Sequence, residues 1–161
     1  MNRPTTWLWP RPSRLPLFLR VAMLLGWMAL IFMFSADSDS GETSSGLLEA
    51  LVGLLSGLMG PIGPETQAVM HLLLRKAAHF TEYAILALLW VGVLPQRPRR
   101  LWLALCLTAG YAVTDEIHQA FVPNRGPSPI DVLIDSSGAA LALATLWLLR
   151  DRHLDSVTKI H

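Results

Sequence analysis

Four long apolar runs, each with few charges, constrain this chain more than anything else in it. The first is LFLRVAMLLGWMALIFMF, residues 17–34, and the second ends in YAILALLWVGVL, residues 83–94. The third covers 101–122, and the fourth is IDVLIDSSGAALALATLWLL, residues 130–149. A helix needs about 20 residues to cross a hydrocarbon core about 30 Å thick. Between Glu82 and Pro95 the second run has only twelve residues, so it crosses only by taking Glu82, His79 and Arg75 into the layer with it. Buried helices of soluble proteins rarely stay apolar all round for this long. The runs therefore predict an all-α integral membrane protein with four transmembrane helices.

At 161 residues the chain has room for one domain. Residues 1–16 form a Pro- and Arg-rich arm, 17–149 the four-helix membrane domain and 150–161 a tail. The arm carries Trp7 and Trp9, a residue type favoured at membrane interfaces. Cleavage after Ala36 would put Phe34 where a signal peptidase wants a small residue, so the first run reads as a retained span. Between the first two runs lies SADSDSGETSSG, then LLEALVGLLSGLMGPIGP. Its apolar part, about 14 residues, is too short to span and predicts an extracytoplasmic interfacial or re-entrant helix. A surface-lying helix is preferred there over a close contact made by Gly53 and Gly57. Cys106, the only cysteine, excludes an intrachain disulfide and reads as a small apolar packing residue.

Charge fixes the expected orientation. With four spans, the arm, the PQRPRR loop and the tail share one side and hold ten Lys or Arg residues against Asp151 and Asp155. The opposite side holds Arg75, Lys76 and Arg125 against ten Asp or Glu residues. Lys/Arg bias sets orientation, so both termini are expected in the cytoplasm, N-in and C-in, with the protein in a bacterial inner membrane.

The acids and histidines fall in one layer. Counting helical rise from the cytoplasmic boundaries puts Glu82 at ~18 Å, His79 at ~22 Å, Asp115 at ~21 Å, His118 at ~25 Å, Asp135 at ~21 Å and Asp131 at ~27 Å. Arg75, His79 and Glu82 share one helix face at i, i+4, i+7; Asp115, His118 and Gln119 share another, with Tyr111 one turn before; Asp131 and Asp135 share a third. Charges facing lipid are expensive, so these residues are expected to turn toward one another or toward water. The pattern predicts a polar cavity open to the outside, with VPNRGPSP and its Arg125 over the mouth. Lys76 and Arg75 also suit headgroup-level snorkelling, Glu116 an interfacial charge, and Asp131 a first-turn acid favoured by the helix dipole. Gly138, Ala139 and Ala140 read as a close packing surface.

FSADSDS after the first run, RKAAHFTEYAILALL opening the second and TDEIHQAFVPNRGPSPIDVLIDSSGA across the third and fourth resemble the VanZ-like family. These blocks stand in the family's order over residues 32–145, although Asn124 takes the place of its usual glycine. The resemblance implies a small polytopic membrane protein and a link to teicoplanin resistance. It also implies the motif residues Lys76, His79, Phe80, Glu82 and Tyr83; Asp115, Glu116, His118, Gln119, Phe121 and Arg125; and Asp131, Asp135 and Gly138.

Three functional classes fit these residues. The preferred one is a binding protein for an amphiphile at the outer leaflet: a membrane lipid, a lipid-linked envelope component or a lipoglycopeptide antibiotic. Carboxylates would take its amines, and Arg75 and Arg125 its phosphate or carboxylate. The second is an enzyme acting on an envelope lipid, with His118, Asp115 or His79 as candidate catalytic groups. The third is a proton-coupled transporter relaying through the carboxylates. Nucleotide-binding glycine patterns, clustered Cys/His spacings and an H-E-x-x-H motif are all missing, so no cofactor, metal or nucleic-acid partner is expected.

Overall fold

The computed structural model describes residues 15–36, 62–123 and 127–158, with positions 46, 50, 52–54, 56–58 and 60 between the first two stretches and side chains as far as Leu149. Arg125, the N-terminal arm and the FSADSDS residues after Ala36 lie outside the described residues. Four long helices carry the fold: α1 (Leu17–Ala36), α2 (Pro64–Val93), α3 (Arg100–Gln119) and α4 (Pro129–Thr158). A short helix lies in the α1–α2 connection, with helical backbone at 46, 50, 52–54 and 56–58.

Local chemistry sets the helix ends. Gly60 stops the short helix with φ 95°, a conformation that costs glycine little, while its N–H still bonds the Ser56 carbonyl at 3.0 Å. Pro64 then opens α2, where its missing N–H is no loss, and Glu65 complements the dipole of the first turn. Gly53 and Gly57 of the short helix have nothing within 4 Å of an added Cβ, so they make no close helix contact among the described residues. The third apolar run was expected to be helical to residue 122, but α3 ends at Gln119. Phe121 N–H bonds the His118 carbonyl and Val122 N–H that of Gln119, tight i to i−3 turns before Pro123, which disfavours helix in the residue ahead of it. At the other end, α4 continues beyond Leu149 to Thr158.

The helices alternate in direction. Arg20 Nη1 donates to the Gly92 carbonyl at 2.6 Å and Trp27 Nε1 to the Glu82 carbonyl at 3.0 Å, which sets α1 antiparallel to α2. Lys76 meets Asp131 and His79 meets Asp135, so α2 and α4 run parallel. Tyr111 reaches the Met28 carbonyl and His118 packs on Phe32, making α1 and α3 parallel as well. The core between them joins Leu24 and Ile31 of α1 to Tyr83 and Leu86 of α2 and Ala112 of α3. A second cluster joins Ala87 and Val91 of α2, Ala104 of α3, and Ala139 and Leu143 of α4.

The α2–α4 pair makes the most extensive interface, and Gly138 is its closest point. A Cβ there would lie 2.2 Å from the Phe80 carbonyl oxygen, so only glycine lets the two backbones meet at that distance. Of the packing surface expected from Gly138, Ala139 and Ala140, the first two are buried at this interface, whereas Ala140 is exposed, one residue further round the helix.

Outward faces are apolar. Two segments, α1 and Pro129–Leu149 of α4, are long and apolar enough to cross a membrane, with mean hydropathy 2.2 and 1.8, yet only 11% and 22% of them is buried inside the protein. A soluble core helix would have most of its circumference covered; these helices expose Phe18, Met33, Leu133 and Leu141 instead. Cys106 also faces outward, contrary to its reading as a packing residue. The inward stripe of α3 runs through Ala104, Thr108, Ala112, Asp115 and Gln119, and position 106 falls on the opposite face.

Candidate functional site

At the end of the bundle away from the PQRPRR loop, α2, α3 and α4 bring their ionisable side chains together. The parallel course of α2 and α4 pairs positions in register. Lys76 forms an ion pair with Asp131, part-exposed on both sides. One turn deeper, His79 Nδ1 stands 3.6 Å from Asp135 Oδ1, with the carboxylate 1% exposed and the histidine side chain 15%. Asp131 thus serves α4 as more than a first-turn acid: it ties the start of that helix to α2.

From α3 comes Asp115, 3% exposed, whose Oδ2 accepts a 3.1 Å hydrogen bond from Gln119 Nε2. The i, i+4 spacing puts donor and acceptor on one face. Tyr83 of α2 is wholly buried beside the group, its ring 6.5 Å from that of His79 and 6.3 Å from that of Tyr111. Glu82 is half-buried and follows His79 by three residues on α2. His79, Glu82, Tyr83, Asp115, Gln119 and Asp135 therefore form one cluster drawn from three helices.

Its hydrogen bonding is incomplete. Both oxygens of Asp135, Oδ1 of Asp115, the Tyr83 hydroxyl and Nδ1 of His79 are buried without a hydrogen-bond partner among the described residues. Leaving a buried polar group unpaired costs about 1–3 kcal/mol, more when charged. The acceptors outnumber the donors, so the unfilled demand is for N–H or O–H groups. Among the described residues no three His, Cys, Asp or Glu side chains are grouped so as to hold a metal ion.

Three candidates stand apart from the cluster. His118 turns toward α1, its ring centroid 4.2 Å from that of Phe32, although its spacing put it on the Asp115 face. Three residues along a helix is a rotation of about 300°, so i and i+3 diverge enough for a neighbouring helix to claim one of them. Glu116, expected as an interfacial charge, is 5% exposed. Its Oε2 accepts a 2.6 Å hydrogen bond from the Ser128 backbone N–H, clamping the entry of α4 to the end of α3. Arg75 is half-buried, and no ion pair joins it to another described residue. Phe121 is 81% exposed, and Phe80 contributes its backbone to the Gly138 contact.

A family profile, VanZ/LLP1, matches residues 19–150. The chain belongs to the VanZ/LLP1 family. No curated protein and no solved structure matches it. The matched VanZ/LLP1 span runs from the first turn of α1 to Arg150 in α4, so every member of the cluster falls inside it. Two further buried hydroxyls of this VanZ/LLP1 domain were not legible as site candidates. Ser35 near the end of α1 is 2% exposed and Thr108 in α3 is 0% exposed, each without a hydrogen-bond partner among the described residues. Thr108 lies seven residues before Asp115, and that spacing on one helix face was its only available signal.

Proposed function

We propose that this VanZ/LLP1 protein spans the membrane four times with both termini in the cytoplasm, and that the α2–α3–α4 cluster holds the polar head of an amphiphile from the outer leaflet. Alternating helix directions support the four passes. The end bearing Arg20, Arg97, Arg99 and Arg100 has the basic character of a cytoplasmic face, and the acids gather at the other end. The binding reading rests on one observation: Asp135 and Asp115, almost inaccessible, present three carboxylate oxygens without a hydrogen-bond partner among the described residues, one of them facing His79 at 3.6 Å. Such acceptors match an ammonium or a set of hydroxyls, groups found on lipid heads, lipid-linked wall precursors and lipoglycopeptides. Lys76, Asp131 and Glu82 are each only part-buried, which leaves polar groups nearer the surface beside the two buried acids. Lower susceptibility to teicoplanin-type drugs would follow if the site kept the drug or its target from meeting at the membrane surface.

Native mass spectrometry of the protein released from nanodiscs of its host's lipid extract tests this. A co-released amphiphile that Asp135→Asn loses, with folding and insertion unchanged, is the expected result. Equal mass spectra for the two proteins would refute the site.

A second reading has one observation in its favour. His79 and Asp135 face each other through Nδ1 and Oδ1, the arrangement in which a carboxylate orients an imidazole for proton transfer. An enzyme acting on an envelope lipid would use His79 in that role, since His118 is committed to Phe32. Turnover of a labelled envelope lipid that stops in His79→Gln would establish it.

A further inference from the structure

A groove of about 500 Å³ opens at the other end of the molecule, lined by Arg97, Pro98, Arg99, Trp102, Leu103 and Cys106. We propose that it binds an anionic phospholipid, the phosphate lying against the Arg97 and Arg99 guanidinium groups and an acyl chain along Trp102 and Cys106. The cluster at the opposite end takes no part, and the proposal needs only that the chain sits in a bilayer.

The groove has the layout of such a lipid. Its mouth is cationic: Arg97 and Arg99 both line it and both are exposed. No Asp or Glu occurs from Tyr83 to Thr114, so the halves of α2 and α3 that adjoin the groove carry no carboxylate to compete for these cations. The mouth also meets the N-terminus of α3, a 20-residue helix whose N-cap, Arg99, makes no side-chain capping bond. First-turn N–H groups and the helix dipole add to the attraction for an anion. The floor is apolar. Trp102 is 69% exposed and Leu103 46%, and Cys106 follows on the same outward face about 10 Å along the axis from Arg99. Guanidinium groups at one end and an apolar strip leading into the hydrocarbon match a phosphodiester with its acyl chain; a free phosphate uses only the first half.

The test compares retained lipid by native mass spectrometry after release from nanodiscs holding equal phosphatidylglycerol and phosphatidylcholine. The expected result is a preference for phosphatidylglycerol on the order of tenfold, from two arginines at the surface. Arg97→Gln with Arg99→Gln should bring the two lipids to parity, and both positions are exposed, so the fold is retained. Arg97→Lys with Arg99→Lys should keep most of the preference. A bimane on Cys106 locates the lipid: brominated phosphatidylglycerol should quench it more than brominated phosphatidylcholine at equal mole fraction. Equal retention of both lipids overturns the proposal, as does a preference untouched by the double Gln variant. Capture of inorganic phosphate with no phosphatidylglycerol preference assigns the site to a free anion and also overturns it. Asp135→Asn should leave the preference intact, which separates this site from the cluster at the other end.

Discussion

Gly138→Ala isolates the contact that sets the spacing of α2 and α4. The new methyl carbon would start 2.2 Å from the Phe80 carbonyl oxygen, with the Phe80 carbonyl carbon at 3.0 Å and Cα at 3.2 Å. Carbon–oxygen contacts settle near 3.3 Å or beyond, so the helices must separate by about 1 Å. All three obstructing atoms are backbone, and no side chain can swing aside to relieve them. Overpacking of this kind costs about 1–3 kcal/mol, while alanine in place of glycine returns up to about 1 kcal/mol of helix propensity. The net expectation is a loss of about 0–3 kcal/mol, centred at about 1–2 kcal/mol. Gly110→Ala is the matched control, because a Cβ at that position of α3 meets nothing within 4 Å. It should leave stability unchanged or raise it by up to about 1 kcal/mol. Equilibrium unfolding in mixed micelles reads both. The site should respond as well: Phe80 follows His79 directly, and the His79–Asp135 separation is already 3.6 Å, so ligand retention should fall in Gly138→Ala and not in Gly110→Ala. If Gly138→Ala is as stable as the parent protein and retains ligand equally, the close approach of α2 and α4 is wrong.

Glu116→Ala should free the Ser128 N–H and loosen the α3–α4 connection by about 1.5–3 kcal/mol, the range for hydrogen bonds to charged groups, while Glu116→Gln keeps an acceptor and most of the stability; hydrogen exchange at Ser128 reads the difference. A double-mutant cycle on Lys76→Met and Asp131→Asn should give a coupling of at most about 1 kcal/mol, because both side chains remain part-exposed. A much larger value would place that pair in a drier setting than its exposure indicates. Tyr111→Phe should cost about 0.5–1.5 kcal/mol by removing the bond to the Met28 carbonyl. The loss should appear as faster proteolysis of α1, and no change would mean that this bond does not hold the helix. Reporter fusions after Leu149 and within the PQRPRR loop should both report the cytoplasm; a periplasmic signal from either would reverse the charge argument.

Long apolar runs with few charges determined from the sequence alone that the chain is helical and where α1 and the membrane-length part of α4 lie. The same runs made the height of Glu82, His79, Asp115 and Asp135 countable, because a helix rises by a fixed step per residue. Family membership was legible too, since its motif blocks are contiguous in the chain. Sequence spacing did not decide how far each side chain turns. His118 and Asp115 are three residues apart, a separation compatible with a shared face or a divided one, and Phe32 on a distant helix drew His118 away. Glu116 looked like a surface charge until the chain returned at Ser128 to use it. Cys106 lies in an apolar run, which says that it is among hydrophobic atoms but not whether those belong to protein or to lipid. Helical periodicity is local information and repeats in every segment; the partner of a face is set by which helices meet, and that is decided by contacts between residues far apart in the chain, such as Gly138 against Phe80.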